Sequence, residues 1–304
     1  MSDISFETLP TGKPHISFSE LSDWVDCTWR HKLRHIDHID LSTFGVALDN
    51  GTGLHASCED FLETREMKVE IATSYIQQAF EKRREEDGFH NYLRFNPDSY
   101  DKLLEKYEGP YTEKDDVIYD AHLTQYVEGA KATLADVPTF MDETFEDWEY
   151  IDAEHKLYEP IENHPHAFKG FIDGIIKCKG ARGKLVYWLL DWKTTAWGWS
   201  RDKKADPKTK AQLVLYKNFW SKKMGVEPKD IRCGFVLLKR DAKPGQHCEL
   251  IPVSVGNVTA GRSLQVIDNM FASLNRGMFL KNKLNCKWCD YKGTEHCPGT
   301  EMAV

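Results

Sequence analysis

The run Leu185-Val186-Tyr187-Trp188-Leu189-Leu190, followed at once by Asp191-Trp192-Lys193, constrains this chain more than any other stretch. A short, almost continuous apolar run suits a central strand buried on both faces of a sheet. An aspartate at the end of such a run carries its charge to the edge of a core, and a buried carboxylate needs a metal or a partner. Residues two apart on a strand face the same side, so Asp191 and Lys193 are expected to point together. An Asp-x-Lys triplet on an arbitrary surface is commonly a solvated pair. The apolar run in front of this one makes it a candidate site.

Other elements follow from the same kind of reading. Glu154 to Tyr158 and Phe168 to Lys177 are β-rich runs ahead of the Leu185 strand, and Cys233 to Leu238 and Cys248 to Val255 are two more behind it. Pro207 leads a helix through Gln212, Val214, Leu215, Phe219 and Trp220 that ends near Gly225, and a later helix runs from about Val258 to Phe279. Ser17 and Ser19 precede a helical pattern through Leu21, Trp24, Val25, Trp29 and Leu33, so a capped helix starting near Ser19 carries Cys27. Asp49 to Gly53 reads as a turn into a second helix, which places His55 and Glu59 on one face. From Ile71 to about Asp147 the chain is charged, aromatic and mostly free of glycine, which predicts a helical cap with loops near Asn96-Pro97 and Gly109-Pro110.

The sum is an α/β fold, a mixed central sheet flanked by helices. Its 304 residues are read as one domain: N-terminal helices over 15–65, a helical insertion over 66–150, an αβ core over 151–256, and a terminal helix with a cysteine segment over 257–304.

Charge and motifs exclude some roles. A formal charge of −8 argues against wholesale coating of nucleic acid, although it leaves DNA open as a substrate. Lysine and arginine gather between Arg201 and Lys223, so a local basic face beside the Asp-x-Lys strand is expected. No G-x-x-x-x-G-K-[ST] sequence occurs, so the chain is not itself a helicase or ATPase. No apolar run is long enough to span a membrane, and Met1 to Pro14 lacks a leader pattern, so a cytoplasmic protein of a bacterium or phage-infected cell is expected, without a membrane partner.

Two acidic residues on neighbouring strands with a lysine nearby are what metal-assisted phosphodiester hydrolysis can use. Hard cations such as Mg²⁺ or Mn²⁺ want oxygen ligands. Gly170-x-x-Asp173, Asp191-x-Lys193-Thr194-Thr195, Gln212-x-x-x-Tyr216 and the upstream Gly51-x-Gly53-Leu54-His55-x-x-x-Glu59 follow one another in order. In that order and spacing the chain resembles RecB-like nucleases of the PD-(D/E)XK (restriction-endonuclease-like) superfamily. The resemblance implies that Asp173 and Asp191 bind the catalytic metal, with His55 and the Trp192 carbonyl as further ligands. It implies that Lys193 assists the attacking water, and that Gln212 and Tyr216 contact substrate or position the lysine. Glu59 and Glu154 are lesser candidates.

Eight cysteines are too few for a disulfide scaffold in a chain of this size. Cys58, Cys178, Cys233 and Cys248 lie in apolar or strand-like surroundings and read as ordinary buried thiols. Cys286-x-x-Cys289 and Cys297 crowd one segment, a spacing that lets one turn present several thiolates to a soft centre. Three ligands are one short of a closed site. In iron-sulfur members similar to this chain, such as the AddB nuclease domain and CRISPR-associated RecB-type exonucleases, an N-terminal cysteine joins three C-terminal ones on a 4Fe-4S cluster. By that resemblance Cys27 is the fourth ligand. Structural Zn²⁺, held by the same four cysteines or with His296, is the competing assignment. The gap between Cys289 and Cys297 is longer than in those relatives.

The leading expectation is an Mg²⁺- or Mn²⁺-dependent DNA exonuclease acting on single strands or duplex ends, alone or beside a separate helicase, recombinase or annealing protein. Recombination, repair, phage replication and defence are the settings that would use it. The alternatives are a non-catalytic DNA-end-binding module and an iron-sulfur sensor; the latter leaves the Asp-x-Lys and Gln-x-x-x-Tyr motifs unexplained.

Overall fold

The β-rich stretch of the sequence forms three long neighbouring strands in a computed structural model, which describes residues 5–39, 41, 45–85, 114–180 and 183–298. After β1 (His15–Ser17) come α1 (Phe18–Asp26), the single turn α2 (Thr28–His31) continued by a π-helical turn over Lys32–Ile36, α3 (Val46–Thr64), α4 (Val69–Glu85) and α5 (Lys114–Thr144). Then follow β2 (Glu149–Pro160), β3 (Ala167–Lys179), β4 (Leu185–Thr195), α6 (Arg201–Ala205), α7 (Pro207–Met224), β5 (Ile231–Lys239), β6 (Cys248–Val253) and α8 (Asn257–Asn275). The strands make one mixed six-stranded sheet in the order β1-β3-β4-β5-β6, with β2 pairing β3 as well. Helices cover both faces. On one side α7 and α8 pack through Leu213, Phe219, Ile267 and Phe271 onto Leu189, Phe235 and Leu237. On the other, α3, α4 and α5 pack through Leu54, Phe61, Ile76 and Leu134 onto Leu190, Trp192 and Val236. This is the α/β architecture expected from the sequence.

The pairing of β3 determines where a site can form. One edge of β3 is bonded to antiparallel β2 along the length of both strands. Its other edge is shared: β1 takes Ala167 to Lys169 in parallel, and β4 takes Gly174 to Lys179 antiparallel. Between them, residues 170–173 have no strand partner on that edge. Beyond its pairing with Gly174, β4 leaves β3 and continues alongside β5 as far as Thr195. The sheet therefore opens at Gly170 to Asp173, beside Asp191 to Lys193.

Several local expectations need correction. The first helix does not carry Cys27 in its interior. It begins at Phe18, with Ser17 Oγ accepting the Glu20 N–H, and stops at Cys27, whose backbone is extended at φ −164°. The side-chain amides of Asn282 and Asn285 donate to the Asp26 carbonyl at 2.9 and 2.8 Å, and the distant C-terminal segment takes over the helix end there. Asp49 to Gly53 is not a turn but lies within α3. Its glycines serve close approach instead. A Cβ on Gly51 would stand 3.1 Å from Thr194 Oγ1, and one on Gly53 would stand 3.0 Å from the Ala72 carbonyl oxygen of α4. Within the helical insertion, α4 and α5 are observed, and Pro138 lies inside α5. The expected loops near Asn96-Pro97 and Gly109-Pro110 lie outside the described residues. Asp173 and Asp191 stand within β3 and β4 rather than at their tips.

Candidate active site

At the opening of the sheet the backbone N–H of Trp192 has no β3 carbonyl to meet, and it donates to Asp173 Oδ2 at 2.8 Å instead. The strand departure and the carboxylate are therefore coupled: Asp173 fills the ladder position that β3 vacates. Asp191 lies between Leu190 and Trp192, both in the core beneath α3, so alternation directs its side chain to the α7 face. Asp191 is 0% exposed and Asp173 is 8% exposed. Lys193 Nζ lies 2.6 Å from Asp191 Oδ2. Even so, neither Asp191 oxygen receives a well-directed hydrogen bond. His55 Nδ1 is 3.5 Å from Asp173 Oδ2, and the imidazole also hydrogen-bonds the Trp192 backbone.

The electrostatics are those of a crowded anionic site. Burial, then the neighbouring Asp191 charge, pushes the Asp173 carboxyl well above the usual carboxylate range. Burial pulls the Lys193 ammonium down, but Asp191 and Asp173 more than compensate and hold it protonated above the ordinary lysine range. Burial also lowers His55, against the pull of Asp191, which leaves its imidazole neutral and able to ligate. Two neighbouring buried carboxylates, a neutral imidazole and a backbone carbonyl are donor types that a divalent cation uses, and Asp191, which receives no well-directed hydrogen bond, is where such an ion would be expected. Among the described residues, however, no three or more His, Cys, Asp or Glu side chains already stand closed around an ion position.

α7 supplies the opposite wall. Asp206 caps it by accepting from the N–H groups of Lys208 and Thr209, Pro207 occupies its first turn, and Gly225 ends it at φ +63°. Gln212 Nε2 donates to Tyr216 Oη at 3.2 Å, and the Phe171 backbone also bonds the phenol. Burial and the Asp191 charge raise the Tyr216 phenol, so it stays a neutral donor. Gly170 makes room for that ring: a Cβ there would lie 2.6 Å from Tyr216 Cε1 and 3.3 Å from Phe168 Cε1. Gly170→Ala is accordingly expected to cost about 1–3 kcal/mol of stability, the scale of an overpacked core, read as a lower midpoint in urea denaturation.

The structure joins Glu59 and Glu154 more closely than their sequence positions suggest. Glu154 lies between the ladder partners of Gly174 and Ile172, opposite Asp173, with a left-handed φ of +46°. It hydrogen-bonds Glu59, whose carboxyl is pushed up to about 7 by burial and by the Glu154 charge. The folded protein thus holds a proton that an unfolded glutamate releases near 4.5. The stabilisation is complete below that value and is lost as pH rises through about 7. Thermal melts of Glu59→Gln, which keeps a donor without titrating, are expected to fall less than the parent between about pH 5 and pH 8.

A second constellation lies at the chain ends. Cys27, Cys286, Cys289 and Cys297 line one cavity of about 20 Å³, with Arg30, Leu33 and Tyr291 among its other walls. No disulfide joins them. Burial raises the Cys289 thiol, against the pull of Arg30. His296 is not part of that wall; its carbonyl accepts from Trp29 Nε1 at 3.1 Å. Lys208 at the start of α7 bonds Asp26 Oδ1 at 2.6 Å and ties this corner to the helix of Gln212 and Tyr216. Cys58, Cys178 and Cys233 are buried elsewhere, and Cys248 is partly buried.

The sequence matches the PD-(D/E)XK nuclease superfamily over residues 15–297. Among solved structures it is similar to a protein of Eubacterium rectale described as a putative exonuclease, at 12% identity and a TM-score of 0.47, over 91% of this chain and 87% of that one. It is also similar to SSO0001, at 13% identity and a TM-score of 0.32, over 65% of this chain and 94% of that one. No curated protein matches it.

Proposed function

Since the chain belongs to the PD-(D/E)XK nuclease superfamily, we propose that it is an Mg²⁺- or Mn²⁺-dependent deoxyribonuclease that digests DNA from ends. The observation that carries this reading is Asp191: a fully buried carboxylate with no well-directed hydrogen bond, balanced by the Lys193 ammonium 2.6 Å from its Oδ2 and set beside the second buried carboxylate of Asp173. Asp173, Asp191, His55 and the Trp192 carbonyl would hold the cation. When bound, it would lower the pKa of a coordinated water and offset charge on the phosphate.

The chain's own groups suggest a division of labour. Lys193, held protonated, cannot take a proton from water; it donates to the attacking water or to a phosphate oxygen. Tyr216, kept neutral, and Gln212 would present donors from α7 that contact substrate or position the lysine. In this reading the whole chain works as one nuclease domain, in recombination, repair, phage replication or defence, beside a separate helicase, recombinase or annealing protein.

The four cysteines would hold a soft centre that clips the N-terminal helices to the C-terminal segment, and a 4Fe-4S cluster is the assignment carried from the resemblance. The competing reading is a single structural Zn²⁺ on the same four thiols, which line one cavity at the chain ends. Broad visible absorbance of the purified protein would decide for iron-sulfur; a colourless sample containing zinc would decide against it.

The activity is tested with end-labelled single- and double-stranded DNA, with Mg²⁺ or Mn²⁺ and with EDTA. Shortening of the strands that stops with EDTA and is lost in Asp191→Ala is the expected result. Cleavage that survives either treatment overturns the mechanism, and metal-independent binding of ends without cleavage would leave an end-binding module.

A further inference from the structure

Building on the nuclease reading above, we propose that Trp197 is a stacking platform for a nucleobase, which would direct the site to single-stranded DNA. Trp197 is 77% exposed, more than any other Phe, Trp or Tyr among the described residues. A side chain this large contributes strongly to folding only when buried, and this one is left in solvent on a loop that is otherwise held in place. The N–H groups of Arg240 and Asp241 donate to the carbonyls of Thr195 and Ala196 at 2.9 Å each. Gly198 takes a φ of +112° and bonds back to Thr195 Oγ1. Trp199 packs on Phe235 with ring centroids 5.1 Å apart. The backbone on both sides of Trp197 is thus fixed while its ring points away from the core.

The same contacts place this loop at the proposed site. Phe235 is a shared neighbour: Lys193 Nζ lies 5.9 Å from its ring centroid, and Trp199 packs against the same ring. Trp197 follows Lys193 by four residues, a Cα separation of at most about 14 Å. The segment runs from the Asp191 strand to the Gln212 helix and carries Arg201, Lys203, Lys204, Lys208 and Lys210 against Asp202 and Asp206, in a chain whose net charge is −8. Lys204 and Lys208 are engaged with Glu249 and Asp26, while Lys203 stands over Trp199. Arg201 and Lys210 have no ion pair among the described residues. An exposed aromatic in a segment that also carries uncommitted cations is how proteins hold single strands, since every base offers a face to stack and every phosphate a charge to meet. A base inside a duplex keeps both faces covered by its neighbours and cannot use the platform.

Binding is measured on the full chain in EDTA, so that cleavage does not intervene. The probes are an oligothymidylate of about 16 nucleotides, a strand of the same length made abasic, and a blunt duplex. Trp197→Ala is expected to weaken oligothymidylate binding roughly tenfold or more, the worth of one stacked base, and Trp197→Phe to restore most of it. The abasic strand and the duplex are expected to bind the parent and the alanine variant alike. Unchanged affinity of Trp197→Ala for oligothymidylate, or an equal loss on the abasic strand, overturns the inference, as does a parent chain that binds no single strand. The two readings fail separately. Trp197-dependent binding without metal-dependent cleavage sinks the nuclease and keeps the platform, whereas cleavage with no effect of Trp197→Ala on binding sinks the platform alone.

Discussion

Asp173→Asn is expected to lose DNA cleavage by about three orders of magnitude, the upper scale for removing one preorganised electrostatic group from a hydrolytic site, and yet to melt at a higher temperature than the parent. Both effects come from one cause. The amide oxygen can still accept the Trp192 N–H that the carboxylate accepts at 2.8 Å, so the strand departure is preserved. The substitution removes a negative charge that burial and Asp191 oppose. Because the folded-state pKa of Asp173 is raised, its ionisation in the native protein costs stability as pH climbs above the ordinary value of 3.8. The gain in melting temperature of Asp173→Asn over the parent should therefore widen from about pH 5 to about pH 8 in metal-free buffer. Millimolar Mg²⁺ should narrow it, because a cation that binds the native state stabilises the parent preferentially. An Asp173→Asn chain that is less stable than the parent at every pH would mean that the carboxylates are not held in mutual repulsion, and the argument for an ion between them would fall.

Cys289→Ala should produce the other large effect, a drop in melting midpoint on the order of 10 °C, together with loss of whatever metal the purified protein carries. The proposed centre, joining residues 27 and 286–297, would contribute its binding free energy to folding directly, and removing one thiolate of four would forfeit a large share of it. Cys178→Ala is the control: that thiol is buried away from those four cysteines, the cavity it would leave is small, and its loss should cost only about 1 kcal/mol. If the two variants melt together, the four cysteines are not a staple. The effect should also reach the chemistry, because Asp26 holds Lys208 at the head of α7. Cleavage by Cys289→Ala should decline at temperatures where the β4 and β5 core is still folded.

Asp191 and Lys193 were legible in the sequence because a strand buried on both faces writes a continuous apolar run, and a charge at its end stands out. Gly170 was legible through its spacing to Asp173, although the physical need for it, the ring of Tyr216, comes from a helix more than forty residues away. The pairing of Glu59 with Glu154 was not legible, since it depends on a left-handed residue inside a strand, and no local pattern marks an exposed glutamate for that conformation. The glycines of α3 misled for a related reason: Gly51 and Gly53 look like a turn, and only the approach of Thr194 and Ala72 explains two glycines in a helix. The end of α1 at Cys27 was likewise hidden, because the asparagines that claim the Asp26 carbonyl lie at the other end of the chain.

The shared edge of β3 separates two kinds of inheritance. Asp173 and Asp191 come from one hairpin, and their mutual placement is set within it, whatever happens between β1 and β2. His55 arrives on the long excursion that leaves the sheet after Ser17 and returns at Glu149. Lineages could lengthen, trim or re-pack that excursion and retune the imidazole, or do without it, while the two carboxylates kept their spacing. The hairpin is then the conservative part of the site, and the excursion is the part on which descendants of such a chain are free to diverge.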